Sequence, residues 1–539
     1  MSVLTSSILP GSGSFMEQRT AMLQLLDRVE DLKKRIRDRS DAKRPEFERR
    51  QQRLPRERLE LLFDPGREVL ELSHLAGFRM HDDDGEAEVL GGAVISQIGF
   101  VEGVRVMALA NDSAIKGGAT MPMGLKKYLR AQEIARQNKL PVIMLVEAAG
   151  ANLNYQAEVF VEGGRRFYNM AKLSAAGIPQ IAVVHGSSTA GGAYIPGMSD
   201  YVVMVRNRAK VFLAGPPLLR AATGEIAEDE ELGGAEMHAT VPGTSEFLAE
   251  NDDDAIAITR ELVRSLGWNE KVPSRAATQA RPPRYDIDEL CGVVPADYRR
   301  PYDIRELIAR LVDDSDFVEV KPAYGTHMVC GRGFVDRFAC AFIGNNGPIH
   351  AEDATKTAQF IQQCCQSGTP IVYLQNTTGF MVGKDAERSG IIKHGAKMIQ
   401  AVSNATVPTV TFIVGGSFGA GNFGMCGRSY SPRFLFAWPN ARIAVMGGEQ
   451  AATVMSIVTE QKQKRRGKPV DSEKIAAMHK GIVDRFDAES SVLFATARIW
   501  DDGIIDPRDT RRVLQMCLEM FREADLRQLN PSSFGVARM

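Results

Sequence analysis

The sequence predicts an α/β protein made of two tandem homologous domains behind a helical N-terminal arm. Three observations carry this. The chain has 539 residues, more than one hydrophobic core ordinarily organises. Short apolar runs ending in small residues alternate with helix-like stretches, as in PVIMLVEAAG (141–150), MGLKKYLRAQEIARQ (123–137) and IPQIAVVHGSSTAGGAY (178–194). The second half also repeats the first. PVIMLVEAAG begins at Pro141 and PIVYLQNTTG at Pro370, an offset of 229 (370 − 141). Pro179 and Pro408 keep the same offset (408 − 179), as do Gly150 and Gly379 (379 − 150). Further upstream, GFVEG at Gly99 and GFVDR at Gly333 stand 234 apart (333 − 99), so the first copy carries about five extra residues.

The elements follow in order. Residues 16–63 are highly charged, with Leu23, Leu25, Leu26, Val29, Leu32 and Ile36 at helical spacings. This arm, placed over residues 1–70, either contacts another chain or lies on its own domain. The first domain is placed at 71–285. The polar, proline-rich stretch 279–303 suggests a linker, set at 286–303, and the second domain takes 304–539.

Net charge is −1 and charged residues are 25%, so no global field favours nucleic acid or a membrane surface. Seven scattered cysteines without a C-x-x-C suit neither a zinc knuckle nor a disulfide framework. The N-terminus lacks the charged and apolar regions of a secretory signal and is poor in arginine. No apolar run approaches the ~18 residues of a membrane helix. The expectation is a cytoplasmic protein with reduced thiols and no metal.

Each copy has a β-branched apolar run that stops at a cluster of small residues: IAVVHG before SSTAGGAY, and TVTFIVGG before SFGAGNF. Glycine lets a ligand approach the main chain, and the first amides of a following helix are unpaired. Such a turn can hold a carbonyl oxygen that is becoming an anion. The alternative is close strand-to-helix packing without a ligand, and the recurrence of the turn at one offset favours the ligand. Gly415 to Gly419 also spells G-x-S-x-G, the nucleophile-elbow pattern. Ser417 maps onto Ser188, but Gly419 maps onto Ala190, so the elbow pattern is absent from the first copy while the turn persists. No histidine is tied by sequence to Ser417, as a triad would need. The residues favour chemistry by backbone amides, one site per domain.

The stretches GSSTAGGAYIPGMSD (186–200), FLAGPPLLRAATGE (212–225), GIIKHGAKMIQA (390–401) and GAGNFGMCGRSYSPRFLFAWPNARIAVMGGEQAA (419–452) resemble the carboxyltransferase, or β, subunits of biotin-dependent acyl-CoA carboxylases. The likeness covers most of residues 20–535 and is strongest to the 3-methylcrotonyl-CoA and geranyl-CoA branch. It implies two crotonase-like domains and a six-chain assembly. It also implies a partner α subunit that carries biotin and the biotin carboxylase activity. This chain has no A-M-K-M biotinylation sequence and no phosphate loop of its own.

The resemblance implies transfer of CO2 from carboxybiotin to an acyl-CoA, with two oxygens turning anionic. By carry-over, Gly191 and Gly192 serve the thioester oxygen, and Ala420 and Gly421 the biotin oxygen. Gly150, Ala151, Gly163, Ala190 and Lys116 are placed on the acyl-CoA side, and Gly379, Phe380, Phe418 and Asn422 on the biotin side. Biotin acts as the base, so no protein base is nominated.

This chain departs from the methylcrotonyl type at EAAGAN (147–152) and at Gly163, where that type usually has phenylalanine. An aromatic buries ~150–250 Å², so glycine there opens room for a longer acyl chain such as geranyl, unless a neighbour refills the space. Propionyl- and long-chain acyl-CoA are the alternative substrates. A biotin-independent hydratase, which would use Glu147, and a non-catalytic assembly subunit are the alternative classes.

Four further features have two readings each. Lys126, Lys127 and Arg130 either meet CoA phosphates or form a solvated helix face, and QKQKRRGKP (461–469) is a surface loop or a partner contact. His185 either borders the thioester or packs in the core, and Lys116 stands beside Gly117 and Gly118 as a further phosphate candidate.

Overall fold

Each half of the chain builds a mostly parallel sheet, with eight strands in the first and seven in the second among the described residues, and the two share an order except that the last strand of the first, Phe247–Ala249, has no counterpart among those of the second. The computed structural model describes residues 3–270, 272–273, 281–467 and 469–537. Contacts divide it into a first-half unit (Asp31–Ala276, Ala497–Ile499, Met520–Met539) and a second-half unit (Met1–Glu30, Ala277–Thr496, Trp500–Glu519).

The first sheet runs Leu70–Glu71, Val94–Val101, Val104–Asn111, Val142–Ala148, Gln180–Thr189, Tyr201–Val205, Phe247–Ala249. Lys210–Phe212 pairs with the end of Gln180–Thr189. The second runs Val318–Val320, Met328–Val335, Phe338–Asn345, Ile371–Thr377, Thr409–Phe418, Phe434–Ala437, with Arg442–Ala444 beside Thr409–Phe418. In each unit an antiparallel hairpin leads into parallel strands that are buried on both faces, which is why those strands read as continuous apolar runs. The registers Val142↔Gln180 and Ile371↔Thr409 preserve the offset read from the prolines. Both sheets also slip register just before the small-residue turn, between Val146 and Ala148 and between Gln375 and Thr377.

The hairpin turns match too. Glu102–Gly103 and Asp336–Arg337 all have positive φ, the two-residue loop whose twist suits paired strands. A carboxylate receives both amides of each turn: Asp64 at 2.9 and 2.8 Å in the first unit, Asp313 at 2.8 and 2.7 Å in the second.

The arm is the helix Gly13–Asp41, followed by the short helices Arg44–Arg49 and Pro55–Leu62. Its apolar stripe (Phe15, Met22, Leu26, Val29, Leu32, Ile36) is buried within this chain. Residues 279 and 280 of the expected linker lie outside the described residues. In the stretch 286–303, Leu290, Cys291, Val293 and Val294 are buried, and the stretch belongs to the second-half unit. The basic stretch expected as a surface loop is instead helical through Arg465, the end of the helix Gly448–Arg465; Lys468 lies outside the described residues. Long aliphatic stems and good helix formers carry the helix through these charges. Among the described residues no helix is long and apolar enough to cross a membrane.

Candidate active site

The two small-residue turns are the structural equivalents that the sequence repeat implies. In the first unit the strand Gln180–Thr189 runs into a 3-10 turn, Ala190–Ala193, and the short helix Tyr194–Met198. In the second, Thr409–Phe418 runs into the short helix Gly419–Gly424. Ala190 and Gly419 occupy the same left-handed conformation, φ +51° and +53°. The first copy therefore holds an alanine where L-residues are strained, by about 1–2 kcal/mol. Gly191 and Ala420 are exposed; Gly192 and Gly421 are buried.

The neighbouring strand ends complete each turn. Gly150 (φ +89°) lies under Thr189 and Ala190, and its carbonyl accepts the Thr120 amide at 2.8 Å. Ala151 bridges Thr120. Gly379 (φ +122°) faces Gly421 so closely that a methyl at 421 would lie 2.9 Å from the Gly379 Cα. Phe418 packs on Tyr298 with ring centroids 5.2 Å apart and is buried. The half-buried Phe380 lies against Gly395 and Gly424. Both phenyl rings thus have packing partners within this unit, and the turn presents the exposed Ala420. Beside it lies a largely apolar cavity of about 490 Å³, lined by Ala420, Asn422, Phe423, Ile443, Val445 and Trp500 among others.

Ser417 is fully buried and is no elbow. Its hydroxyl donates to Gln375 Oε1 at 2.6 Å and accepts from Asn422 Nδ2 at 2.8 Å. Among the described residues no histidine or acid is hydrogen-bonded to it. The Gln375 amide donates onward to the Met425 carbonyl at 2.5 Å and, more weakly, to that of Asn422 at 3.4 Å. Asn376 Oδ1 accepts the Gly416 amide at 3.0 Å. The strand leading to this turn is thus braced by neutral amides.

The equivalent place in the first unit is braced by charge. Glu147, which matches Asn376, accepts from Arg58 Nη1 and Ser113 Oγ, both at 2.8 Å. Arg58 Nε also reaches Asp252 at 3.1 Å, and Asp252 holds His185 Nδ1 at 2.9 Å. Burial raises the Glu147 and Asp252 carboxyls, but the opposing pull wins and holds both below the usual carboxylate range. For Glu147 that pull is chiefly Arg58; for Asp252 it is His185 and Arg58. Burial, with Arg58 nearby, lowers His185, so the ring is neutral at pH 7. His185 packs in the core, and Glu147 is committed to Arg58, which leaves it unsuited as the free acid of a hydratase.

Of the basic candidates for CoA phosphates, Lys127 is committed to the fold. Lys127 is buried and donates to the Val94 and Gly91 carbonyls at 2.6 and 3.4 Å; burial lowers it to about 8. Its repeat partner Lys356 does the same to Met328 and Gly325, at 2.7 and 3.2 Å. Arg130 pairs with Glu133 at 2.7 Å, and Lys126 donates to the Arg498 carbonyl at 2.8 Å. Lys116 is half-exposed and pairs with Asp82 at 3.3 Å.

Gly163 sits within the helix Gln156–Ala175, and a methyl there would meet nothing within 4 Å among the described residues. It shares a helix face with Phe167, whose ring meets Tyr194 beside the turn at 5.8 Å. Among the described residues, the cluster with metal-ligand composition is His327, His350 and Asp353. The Asp353 carboxylate there accepts the His327 and His350 amides at 3.2 and 2.9 Å, which caps the helix Ala351–Ser367.

Sequence reasoning missed Arg58, Asp252, Gln375 and the role of Ser417. Gln375 did leave a signal, as a polar residue in an apolar strand where the other copy has Val146.

The comparisons agree with this geometry. The carboxyl transferase domain family model matches residues 47–535. The chain is 50% identical, over 90% of its length and 82% of the other's, to the mitochondrial methylcrotonoyl-CoA carboxylase beta chain of Dictyostelium discoideum. It is 46% identical, over the whole of both chains, to a probable biotin-dependent acyl-coenzyme A carboxylase beta2 subunit of Mycobacterium tuberculosis. The crystal structure of the P. aeruginosa geranyl-CoA carboxylase beta subunit superposes with a TM-score of 0.94 at 53% identity, covering 100% of both chains. Two duplicated amide turns on two crotonase-like domains, with this likeness end to end, place the chain in the carboxyl transferase family as a carboxyltransferase (β) subunit of the biotin-dependent acyl-CoA carboxylases.

Proposed function

We propose that the two turns divide the reaction's two oxygens between them. The amides of Gly191 and Gly192 hold the thioester oxygen of the acyl-CoA, and those of Ala420 and Gly421 hold the ureido oxygen of biotin. Biotin, bound to the partner subunit, supplies the CO2 and the base. This chain's residues bind, orient and exclude water. The close approach of Gly421 to Gly379, with an exposed Ala420 and an apolar cavity beside it, suits a flat uncharged ring that offers one carbonyl oxygen. The first turn is continuous with Gly150 and Ala151, whose small side chains leave the thioester room. Each well-placed amide lowers the barrier by about 3 kcal/mol when its oxygen becomes anionic.

The acyl group in this reading is a branched, unsaturated chain of the geranyl type. The supporting observation is the empty space at Gly163, on the helix face that leads through Phe167 to Tyr194 and the turn. The active unit is a hexamer with a biotin-bearing α subunit that also carries biotin carboxylase, in the cytoplasm. Bicarbonate-dependent carboxylation with that α subunit, run on methylcrotonyl-, geranyl-, propionyl- and longer acyl-CoA, tests the substrate. Turnover on geranyl-CoA that Gly163→Phe abolishes, while methylcrotonyl-CoA turnover survives, is expected. Turnover confined to methylcrotonyl-CoA would discard the pocket argument.

A further inference from the structure

The second turn has a side-chain network that the first lacks, although both have the same backbone. Ser417 Oγ bridges Gln375 Oε1 and Asn422 Nδ2, at 2.6 and 2.8 Å. Gln375 Nε2 holds the Met425 carbonyl on the far side of the short helix. The Gly427 amide closes the loop on the Asn422 carbonyl at 2.8 Å. The three side chains therefore tie the end of the strand to the last turn of the short helix, at the Asn422 side chain and the Met425 carbonyl, and the Met425 amide in turn holds the Gly421 carbonyl at 3.0 Å.

In the first unit Val146 stands for Gln375 and Ala193 for Asn422, at the constant offset of 229 (375 − 146, 422 − 193). The buried Ser188 hydroxyl has no hydrogen-bond partner among the described residues. The first turn nevertheless forms, with the same left-handed residue at its entrance. Folding the turn therefore does not require the network, so the network answers a need specific to the second turn.

That need follows from the difference between the ligands. An acyl-CoA brings its own long chain of contacts to fix the thioester oxygen. A biotin ring on a mobile arm is presented by another polypeptide, and the amides that receive its oxygen have to be held in place beforehand.

We propose that Ser417, Gln375 and Asn422 form a positioning relay that fixes the direction of the Ala420 and Gly421 amides for the biotin oxygen. The relay rests on the reading of that turn given above. Ser417 acts through Asn422 and the backbone and touches neither substrate.

The test uses the holoenzyme, this chain assembled with its biotin-bearing α subunit, and measures kcat and the acyl-CoA KM for Ser417→Ala, Asn422→Ala, Gln375→Leu, the Ser417→Ala/Asn422→Ala pair and Gly421→Ala. Thermal midpoints are recorded to confirm that each variant is folded. The relay gives Ser417→Ala and Gln375→Leu about a ten- to hundred-fold loss of kcat with the acyl-CoA KM unchanged. The paired variant then loses no more than the worse of its two singles, as groups acting as a unit do. A folded Ser417→Ala within two-fold of wild type, beside a Gly421→Ala that collapses, overturns the relay and keeps the reading of the turn. A Gly421→Ala that is itself fully active, or a rise in acyl-CoA KM in place of the kcat loss, overturns both.

Discussion

The two turns share a backbone and differ in what stands behind it. Behind the first, Arg58, Glu147, Asp252 and His185 form a buried ionic brace. Behind the second, Gln375, Ser417, Asn376 and Asn422 brace it with neutral amides and a hydroxyl. Duplication kept the strand, the register slip and the left-handed entrance, and it let the support diverge. The main chain is therefore what the two copies share, and the side chains beneath it are where they differ.

The comparison breaks most visibly at Arg58. Arg58→Met leaves Glu147 without its cation and Asp252 with His185, the Arg53 amide and Arg208, and removing one partner of such a group costs about 3–5 kcal/mol. Hydrogen exchange should rise across Val142–Ala148 and Gln180–Thr189 of the first-half unit, while Ile371–Thr377 stays protected. Equal loosening of both sheets would show that the brace is not local.

The two serines come next. Ser417→Ala leaves Gln375 Oε1 and Asn422 Nδ2 unpaired, which costs about 1–3 kcal/mol. Ser188→Ala removes a hydroxyl without a partner and should leave the thermal midpoint unchanged or raise it. Equal losses in the two variants would erase the distinction.

Acid should act with opposite signs at two buried places, one in each unit. In the first, the Glu147 and Asp252 carboxyls are held below their unfolded values and neutral His185 below its own. Below about pH 6.5 the unfolded chain binds a proton at His185 that the native chain refuses, and below about pH 4.5 the carboxylates follow, so stability falls with pH. In the second, Asp501 is fully buried, and burial raises it to about 7. The native chain then binds the proton more tightly, and that contribution grows as pH falls from 7 toward 4. Hydrogen exchange at pH 7 and 5.5, corrected for its intrinsic pH dependence, should show the Val142–Ala148 strand losing protection relative to Phe434–Ala437. The reverse order would refute the assignment of the charged brace.

The smallest effect is at the entrance. Ala190→Gly relieves a left-handed alanine but adds unfolded-chain entropy, for a net gain of about 0.5 kcal/mol. Gly419→Ala should lose stability by a larger margin, since its Cβ would also lie 3.1 Å from the Val445 carbonyl. Each is read from the thermal midpoint.

Much of this was legible in the sequence because it is periodic or repeated. The prolines before each parallel strand gave the duplication, and the small-residue clusters gave both turns. The helical arm was marked by Leu26, Val29, Leu32 and Ile36, which are buried, whereas Leu23 and Leu25 are only partly so and the buried Met22 was not singled out. The braces were hidden because they join residues distant in sequence: Arg58 reaches Glu147 and Asp252 from the short helix Pro55–Leu62. Lys127 misled for a related reason. A lysine amid polar helix residues reads as solvated, yet it turns inward to cap loop carbonyls, as Lys356 does in the second copy. Phe380 and Phe418, placed on the biotin side by resemblance, have packing partners the sequence did not show: Gly395 and Gly424 for Phe380, and Tyr298 for Phe418.

The division of the two oxygens is tested most directly by Gly421→Ala, whose methyl would press on Gly379, with Gly192→Ala beside it, where the nearest atom is the unpartnered Ser188 hydroxyl at 3.1 Å. Acyl-CoA affinity is measured by calorimetry, and carboxylation with the biotin-bearing partner. Gly421→Ala should bind acyl-CoA as wild type does and lose about 100-fold or more in kcat. Gly192→Ala should lose less turnover and show its defect in acyl-CoA affinity. Loss of acyl-CoA binding in Gly421→Ala, or full turnover in it, would contradict the account.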